Sequence, residues 1–185
     1  MSNKYTDIES IENYLLTNVD VTFESQIDEW IEQMSQYIEQ ETGRVFIADA
    51  VASEKVYDGD GEKFIIIDDC IDIDKVEVDD VEVEFLMYPS NKLPITMVKL
   101  DSGVFTKGNQ NITITAKWGY SVESPLDIKF ICTVLVSGII NQSNSHEGEI
   151  GSISMGRYSV SYRDDKQLKD FENIENTLKN YKRYY

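Results

Sequence analysis

The chain is poor in the residues that do chemistry. Its 185 residues include one histidine, two cysteines and three prolines, and no run of eighteen or more apolar residues. The last absence excludes a helical membrane span. Histidine is the side chain most often recruited for general acid–base catalysis, and here His146 stands alone in a Ser/Asn-rich stretch, as a solvent-exposed bystander would. No GxSxG, HExxH, P-loop or GxGxxG motif occurs. Cys70 and Cys132 lie in apolar segments without a CxxC partner or a nearby histidine, and are read as two buried thiols, with a disulfide as the alternative. The opening Met1-Ser2-Asn3-Lys4-Tyr5-Thr6-Asp7 has neither a basic head nor an apolar run, so no signal peptide is expected and the chain is expected to work inside a cell or inside something assembled there.

What is abundant is negative charge. The net charge is −17. Residues 1–141 hold 10 basic and 27 acidic side chains, whereas residues 142–185 hold 7 of each, so the imbalance lies wholly in the first part. Such a body repels phosphate and excludes tight nucleic-acid binding. It serves solubility, or it makes a surface to which DNA must not adhere.

Periodicity divides the chain. Residues 6–16 predict a short amphipathic helix with Ile8, Ile11 and Leu15 on one side. Residues 22–42 predict a longer one, with Phe23, Ile27, Trp30, Ile31, Met34, Tyr37 and Ile38 at three- and four-residue spacings. Asp20 or Thr22 is the candidate cap and Gly43 the stop. From Arg44 to Lys117 the period becomes two. Short strands are predicted at 53–57, 62–67, 73–78, 81–87, 96–100 and 111–117, with turns at Asp58-Gly59-Asp60-Gly61, Asp79-Asp80, Pro89-Ser90-Asn91 and Lys107-Gly108-Asn109. Ser124 as N-cap and Pro125 at the first helical position then open a helix over 125–141 that is apolar nearly all round, the mark of burial among other helices. Residues 150–162 alternate again around Met155-Gly156. Residues 164–184 predict a last helix capped by Asp164, with Leu168, Phe171, Ile174, Leu178 and Tyr181 in one stripe. The fold class is therefore α+β: a helical bundle with an inserted antiparallel β domain. The segments are 1–44 for the N-terminal helices, 45–118 for the insert, 119–149 for the central helix and a loop, and 150–185 for a hairpin and the C-terminal helix.

Two acidic patterns invite a metal reading. Asp58-Gly59-Asp60-Gly61-Glu62 matches the opening of a calcium loop, but the twelfth position is Asp69 rather than glutamate and strands flank it, so a hairpin turn is the better account. Asp68-Asp69, Asp72, Asp74 and Asp79-Asp80 could form a hard-cation site, but scattered over strand ends they read better as a solvated rim. The ending Tyr181-Lys182-Arg183-Tyr184-Tyr185 is aromatic and basic, the composition of an interface anchor.

In order and spacing these features resemble the head–tail connector proteins of long-tailed phages and prophages, also called head-completion or adaptor proteins. Thr42-Gly43-Arg44-Val45-Phe46 is similar to the family's TGR.F step, and Tyr57-Asp58-Gly59-Asp60-Gly61 to its YDG-G turn. Residues 103–112 resemble its G-F-G-N-I hairpin. Trp118-Gly119-Tyr120 followed by Pro125-Leu126-Asp127-Ile128 resembles its GY…P-DI approach to the central helix, and residues 151–162 with Leu178–Arg183 resemble its closing G-YSVSY…L-YKR pattern. The resemblance spans most of the chain. It implies a structural, non-enzymatic virion protein, assembled in the bacterial host cytoplasm, without cofactor or metal. It implies a ring, commonly of twelve subunits, beneath the portal. Such a ring extends the DNA channel without binding DNA specifically and meets a tail-side stopper or tail-completion protein. Carried onto this chain, the resemblance makes Leu168, Phe171, Ile174, Leu178, Tyr181, Arg183, Tyr184 and Tyr185 the portal or subunit contact, and Asp72, Asp74, Asp79 and Asp80 candidates for an acidic channel wall. Relatives with a purely helical body lack so large a β insert. The competing readings are another neck or tail-completion protein and a cytosolic ligand-binding module.

Overall fold

The structure is a computed structural model that describes residues 3–19, 21–143, 151–155, 158–162 and 165–183. In chain order it runs α1 (Ile8–Leu15), a 3-10 turn (Val21–Phe23) and α2 (Glu24–Thr42). Strands β1 (Ser53–Gly59), β2 (Phe64–Val78), β3 (Val81–Glu82), β4 (Phe85–Tyr88), β5 (Ile95–Leu100) and β6 (Gly108–Trp118) follow. The chain closes with α3 (Leu126–Ser143), β7 (Gly151–Met155), β8 (Tyr158–Tyr162) and α4 (Asp165–Tyr181). It forms two compact units, residues 1–43 with 124–185 and residues 44–123. The fold is thus α+β, with an antiparallel sheet inserted into a helical unit.

In the helical unit α3 is the axis. Ile128, Ile131, Cys132, Val134, Leu135, Val136 and Ile140 are all buried. Helices α1, α2 and α4 and strand β8 pack around α3, which is why its sequence is apolar on every side. Helix α2 presents Ile27, Ile31, Met34, Tyr37 and Ile38 inward. Polar pins fix the register: the Thr6 and Thr133 hydroxyls meet at 2.6 Å, and the Tyr5 N–H donates to Ser35 Oγ at 3.1 Å. Helix α1 starts where the Asp7 carboxylate accepts the Ser10 N–H. Helix α2 ends at Gly43, whose left-handed φ of 67° lets its N–H reach the Glu39 carbonyl at 2.8 Å.

The sheet order is β1-β6-β2-β5-β4, with β3 pairing β2, and every pairing is antiparallel. The pivot is β2. Its first half pairs β5 and its second half β6, with register shifts between Ile66 and Cys70, between Cys70 and Asp72, and between Ile73 and Lys75. Bulges of this kind bend a strand and sharpen its twist, so both halves contribute to one core of Ile67, Cys70, Ile73, Val76, Val98, Phe105, Ile112, Ile114 and Ala116. The hairpin from β2 to β3 turns on Asp79 and Asp80, both at positive φ (50° and 64°), the type I′ arrangement that matches strand twist.

The chain enters and leaves the sheet unit through adjacent segments. The Tyr120 N–H donates to the Val45 carbonyl, Ala48 N–H to Ser121 and Asp49 N–H to Trp118, at 2.8–2.9 Å, and Ile47 and Ser121 form a parallel bridge. Gly119 makes this closeness possible. Its φ is 139°, and a Cβ there would lie 2.4 Å from Ala48 Cα.

Several expectations need correction. The segments 62–67 and 73–78 are one strand, because the polar residues between them occupy bulges rather than a turn. Lys107-Gly108-Asn109 leads straight into β6, with Gly108 paired to Gly59. The 81–87 segment is two short strands, β3 and β4. The N-cap position of helix α2 is held by Phe23, which makes no side-chain cap bond, rather than by Thr22, and Asp20 lies outside the described residues. Ser124 does not cap α3, since its hydroxyl donates to the Pro125 carbonyl at 3.5 Å and the first turn is closed by Lys129 N–H to that same carbonyl. Asp164, Gly156 and His146 lie outside the described residues. Asp58 and Asp60 accept the Gln110 and Glu62 N–H groups at 2.6 and 2.9 Å, but the expected hairpin does not form: β6 lies between β1 and β2, so residues 58–62 join two strands that are not neighbours. Gly119→Ala is expected to lower the unfolding free energy by about 2–4 kcal/mol, because strain and a backbone clash fall on one residue; urea titration followed by circular dichroism measures it.

Candidate interaction surfaces

The C-terminal segment lies on the helical unit. Ile174 and Leu178 are buried there, at 1% and 5% exposure. Tyr181 OH donates to both Asp127 carboxylate oxygens (2.9 and 2.8 Å), and the Arg183 N–H donates to the Thr42 carbonyl at 2.9 Å. Higher on the same helix, Asp170 accepts the Tyr14 hydroxyl at 2.9 Å. Of the residues nominated for a portal or subunit contact, Ile174 and Leu178 therefore fill the chain's own core, while Tyr181 and Arg183 are half-buried at its surface. Tyr184, Tyr185 and the side chains of Leu168 and Phe171 lie outside the described residues. Beside this segment Tyr37, Glu41, Glu175, Lys179 and Lys182 line a shallow groove of about 220 Å³. Large apolar side chains elsewhere on the helical unit face solvent, notably Leu16, Leu126 and Phe130, with Phe130 meeting Tyr14 edge to face.

The four nominated aspartates are all exposed and sit in two places on the sheet unit. Asp72 and Asp74 belong to the β2 bulges, with Asp72 3.8 Å from Lys117. Asp79 and Asp80 form the β2–β3 turn, where Asp79 accepts the Thr106 hydroxyl at 2.7 Å. Among the described residues no three His, Cys, Asp or Glu side chains converge as a metal site would require.

Two features escaped the sequence. The first is a buried ion pair: Arg44 Nη1 lies 2.6 Å from both oxygens of Asp69, whose side chain is 4% exposed, and the guanidinium stacks 5.6 Å from the Tyr120 ring centre. The second is an exposed apolar face. Antiparallel register aligns Ile66, Met97 and Tyr88 in one cross-strand row, and Phe64, Lys99 and Leu86 in the next. Ile66, Phe64, Leu86 and Tyr88 are 62%, 44%, 44% and 37% exposed. The unbroken run Phe64-Ile65-Ile66-Ile67 was the available signal, since a strand with only one buried face should alternate. Next to it, between β4 and the β4–β5 turn, a groove of about 660 Å³ is lined by residues including Ile71, Met87, Pro89, Lys92 and Leu93.

Both cysteines are free and buried. Burial pushes each thiol from its ordinary 9.0 up to about 12, with the charges of Asp69 and Asp72 adding to the effect at Cys70. A thiol in that state is a poor nucleophile. The folded state holds these protons more tightly than the unfolded chain does, so this contribution to stability is complete below pH 9 and is lost as pH rises from 9 towards 12. Ellman's reagent at pH 8 is expected to leave the native chain unlabelled and to label two thiols in urea, and the urea midpoint is expected to decline above pH 9.

No protein-family model matches the chain, and no curated protein matches it. A solved structure does: a chain of the neck of an empty gene transfer agent (GTA) particle, computed with C6 symmetry. The likeness has a TM-score of 0.60 at 10% identity and covers 96% of this chain and 89% of that one. The two chains share a fold across both units.

Proposed function

We propose that the chain is a structural component of the neck of a phage-like particle, a head–tail connector that assembles as a ring beneath the portal, extends the DNA channel and links capsid to tail. The observation that carries this reading is the fold likeness to a neck chain over nearly the full length of both molecules. At 10% identity, a likeness that covers 96% of this chain, helical unit and inserted sheet together, is agreement in architecture rather than in one common motif. The order of the connector-like motifs along the sequence points the same way. So does the C6 symmetry in which that neck was computed, because a cyclic assembly joins one patch to a different patch on the next copy.

In this reading the portal-facing contact is the end of the chain, Tyr181 and Arg183 with Tyr184 and Tyr185, rather than the inward stripe of α4. Removing Lys182–Tyr185 keeps Ile174 and Leu178 in the core. The shortened chain is expected to keep its circular dichroism and thermal midpoint while losing co-sedimentation with portal rings; undiminished co-sedimentation would place the contact elsewhere. Electron micrographs of particles that carry the gene, in which the neck lacks this chain, would overturn the connector role itself.

The aspartates of β2 and the β2–β3 turn give a second arm. An acidic channel wall keeps DNA from adhering. Replacing Asp72, Asp74, Asp79 and Asp80 together by lysine is expected to slow DNA ejection in a salt-dependent way, and ejection kinetics unchanged at low salt would remove these residues from the channel.

A further inference from the structure

The main path of the sheet of residues 44–123 ends on β1 and β4, while the two-residue β3 pairs β2 to one side of it. Exposed strand edges invite pairing, and proteins usually blunt them with charge or proline. Strand β4 is instead Phe85-Leu86-Met87-Tyr88, without a charge and with three of its four side chains exposed. Behind it, on the same face, lie Phe64, Ile66 and Met97. Lysine 99 sits within that face and forms no ion pair among the described residues. The basic residues of this unit fall into two groups. Arg44, Lys55, Lys75 and Lys117 are paired with Asp69, Asp68, Glu77 and Asp72. Lys63, Lys92, Lys99 and Lys107 form no ion pair among the described residues; of these Lys99 lies in the patch by register, Lys63 precedes Phe64 and Lys92 occupies the β4–β5 turn, in a chain whose net charge is −17.

The opposite edge has the converse chemistry. On β1, Glu54, Val56 and Asp58 alternate on the exposed face, and Val56 is 53% exposed. Register carries this face across the sheet: Glu54 pairs Thr115 and Val56 pairs Thr113 on β6, and these pair Lys75 and Glu77 on β2, the side opposite the buried core. One edge thus offers an apolar patch with free cations, and the other an apolar residue between two carboxylates, on one continuous face.

We propose that the β4 edge of one copy receives the β1 edge of the next, so that the sheets join head to tail. This inference rests on the reading of the chain as a ring subunit and assigns one contact of that ring. Four successive antiparallel steps separate β1 from β4, so the two strands run in the same direction within a sheet. A cyclic operation preserves that direction, and the two edges meet parallel. With Val56 beside Tyr88, Glu54 falls in the row of Lys99 and Leu86, and Asp58 falls towards Lys92. A two-fold pairing of β4 with β4 would bring like charges together instead.

The test uses full-length chains with Val56→Cys in one preparation and Tyr88→Cys in the other. The native Cys70 and Cys132 are buried and do not compete. Mixed at high concentration under mild oxidation, the two variants are expected to give the mixed disulfide about ten-fold over either symmetric dimer, as a heterologous contact demands. Lys99→Glu should lower that yield several-fold, and Glu54→Lys added to the partner preparation should restore it. A dominant symmetric dimer, or no mixed product above a control pair with cysteine in place of the exposed Val122, overturns the edge pairing. The connector reading fails on a different observation, absence of the chain from the neck, so the two failures are distinct.

Discussion

The structure depends on how the sheet unit is closed at its base. Residues 45–49 and 118–121 lie side by side, bonded through main-chain groups, and the Arg44–Asp69 pair sits at the same place with the Tyr120 ring against the guanidinium. A buried pair of this kind adds little by itself, but losing one partner strands a charge and costs about 3–5 kcal/mol. Its value here is positional. Asp69 lies in the bulged middle of β2, and its carbonyl also accepts the Gly119 N–H at 2.7 Å. One residue therefore ties the first residue of the unit, its central strand and its exit segment together.

This closure lets two cores coexist in one chain. The helical unit is complete around α3, with segments from both sides of the insert, and the sheet unit has a core of its own. The bundle can therefore stay intact while the inserted sheet takes a separate contact, the arrangement proposed above for β1 and β4.

Much of the architecture was legible in the sequence because it rests on periodicity. Helix α2 follows its three- and four-residue stripe, α3 its all-round apolarity, and β1, β5 and β6 their alternation. What stayed hidden involves partners remote in sequence. Asp68 to Asp72 reads as a polar break, yet Asp69 is buried because Arg44, 25 residues earlier, neutralises it. Bulges hold β2 together through that stretch, and a bulge has no sequence signature as plain as a glycine turn. Ser124 and Thr22 looked like caps because their residue types favour caps, but Pro125 and Phe23 take the positions at which capping is decided. Within the candidate contact, the stripe of α4 was visible while its direction was not: Ile174 and Leu178 could face inward or outward until α3 was seen beside them.

The parallel bridge between Ile47 and Ser121 carries a mechanical meaning. Tension applied between Arg44 and Glu123 would load the sheet unit where its entry and exit segments are bonded side by side. Such a load shears the bonds joining them together rather than peeling them one after another. Stretching would then be resisted at this clasp, with the strands beyond it shielded from the pull.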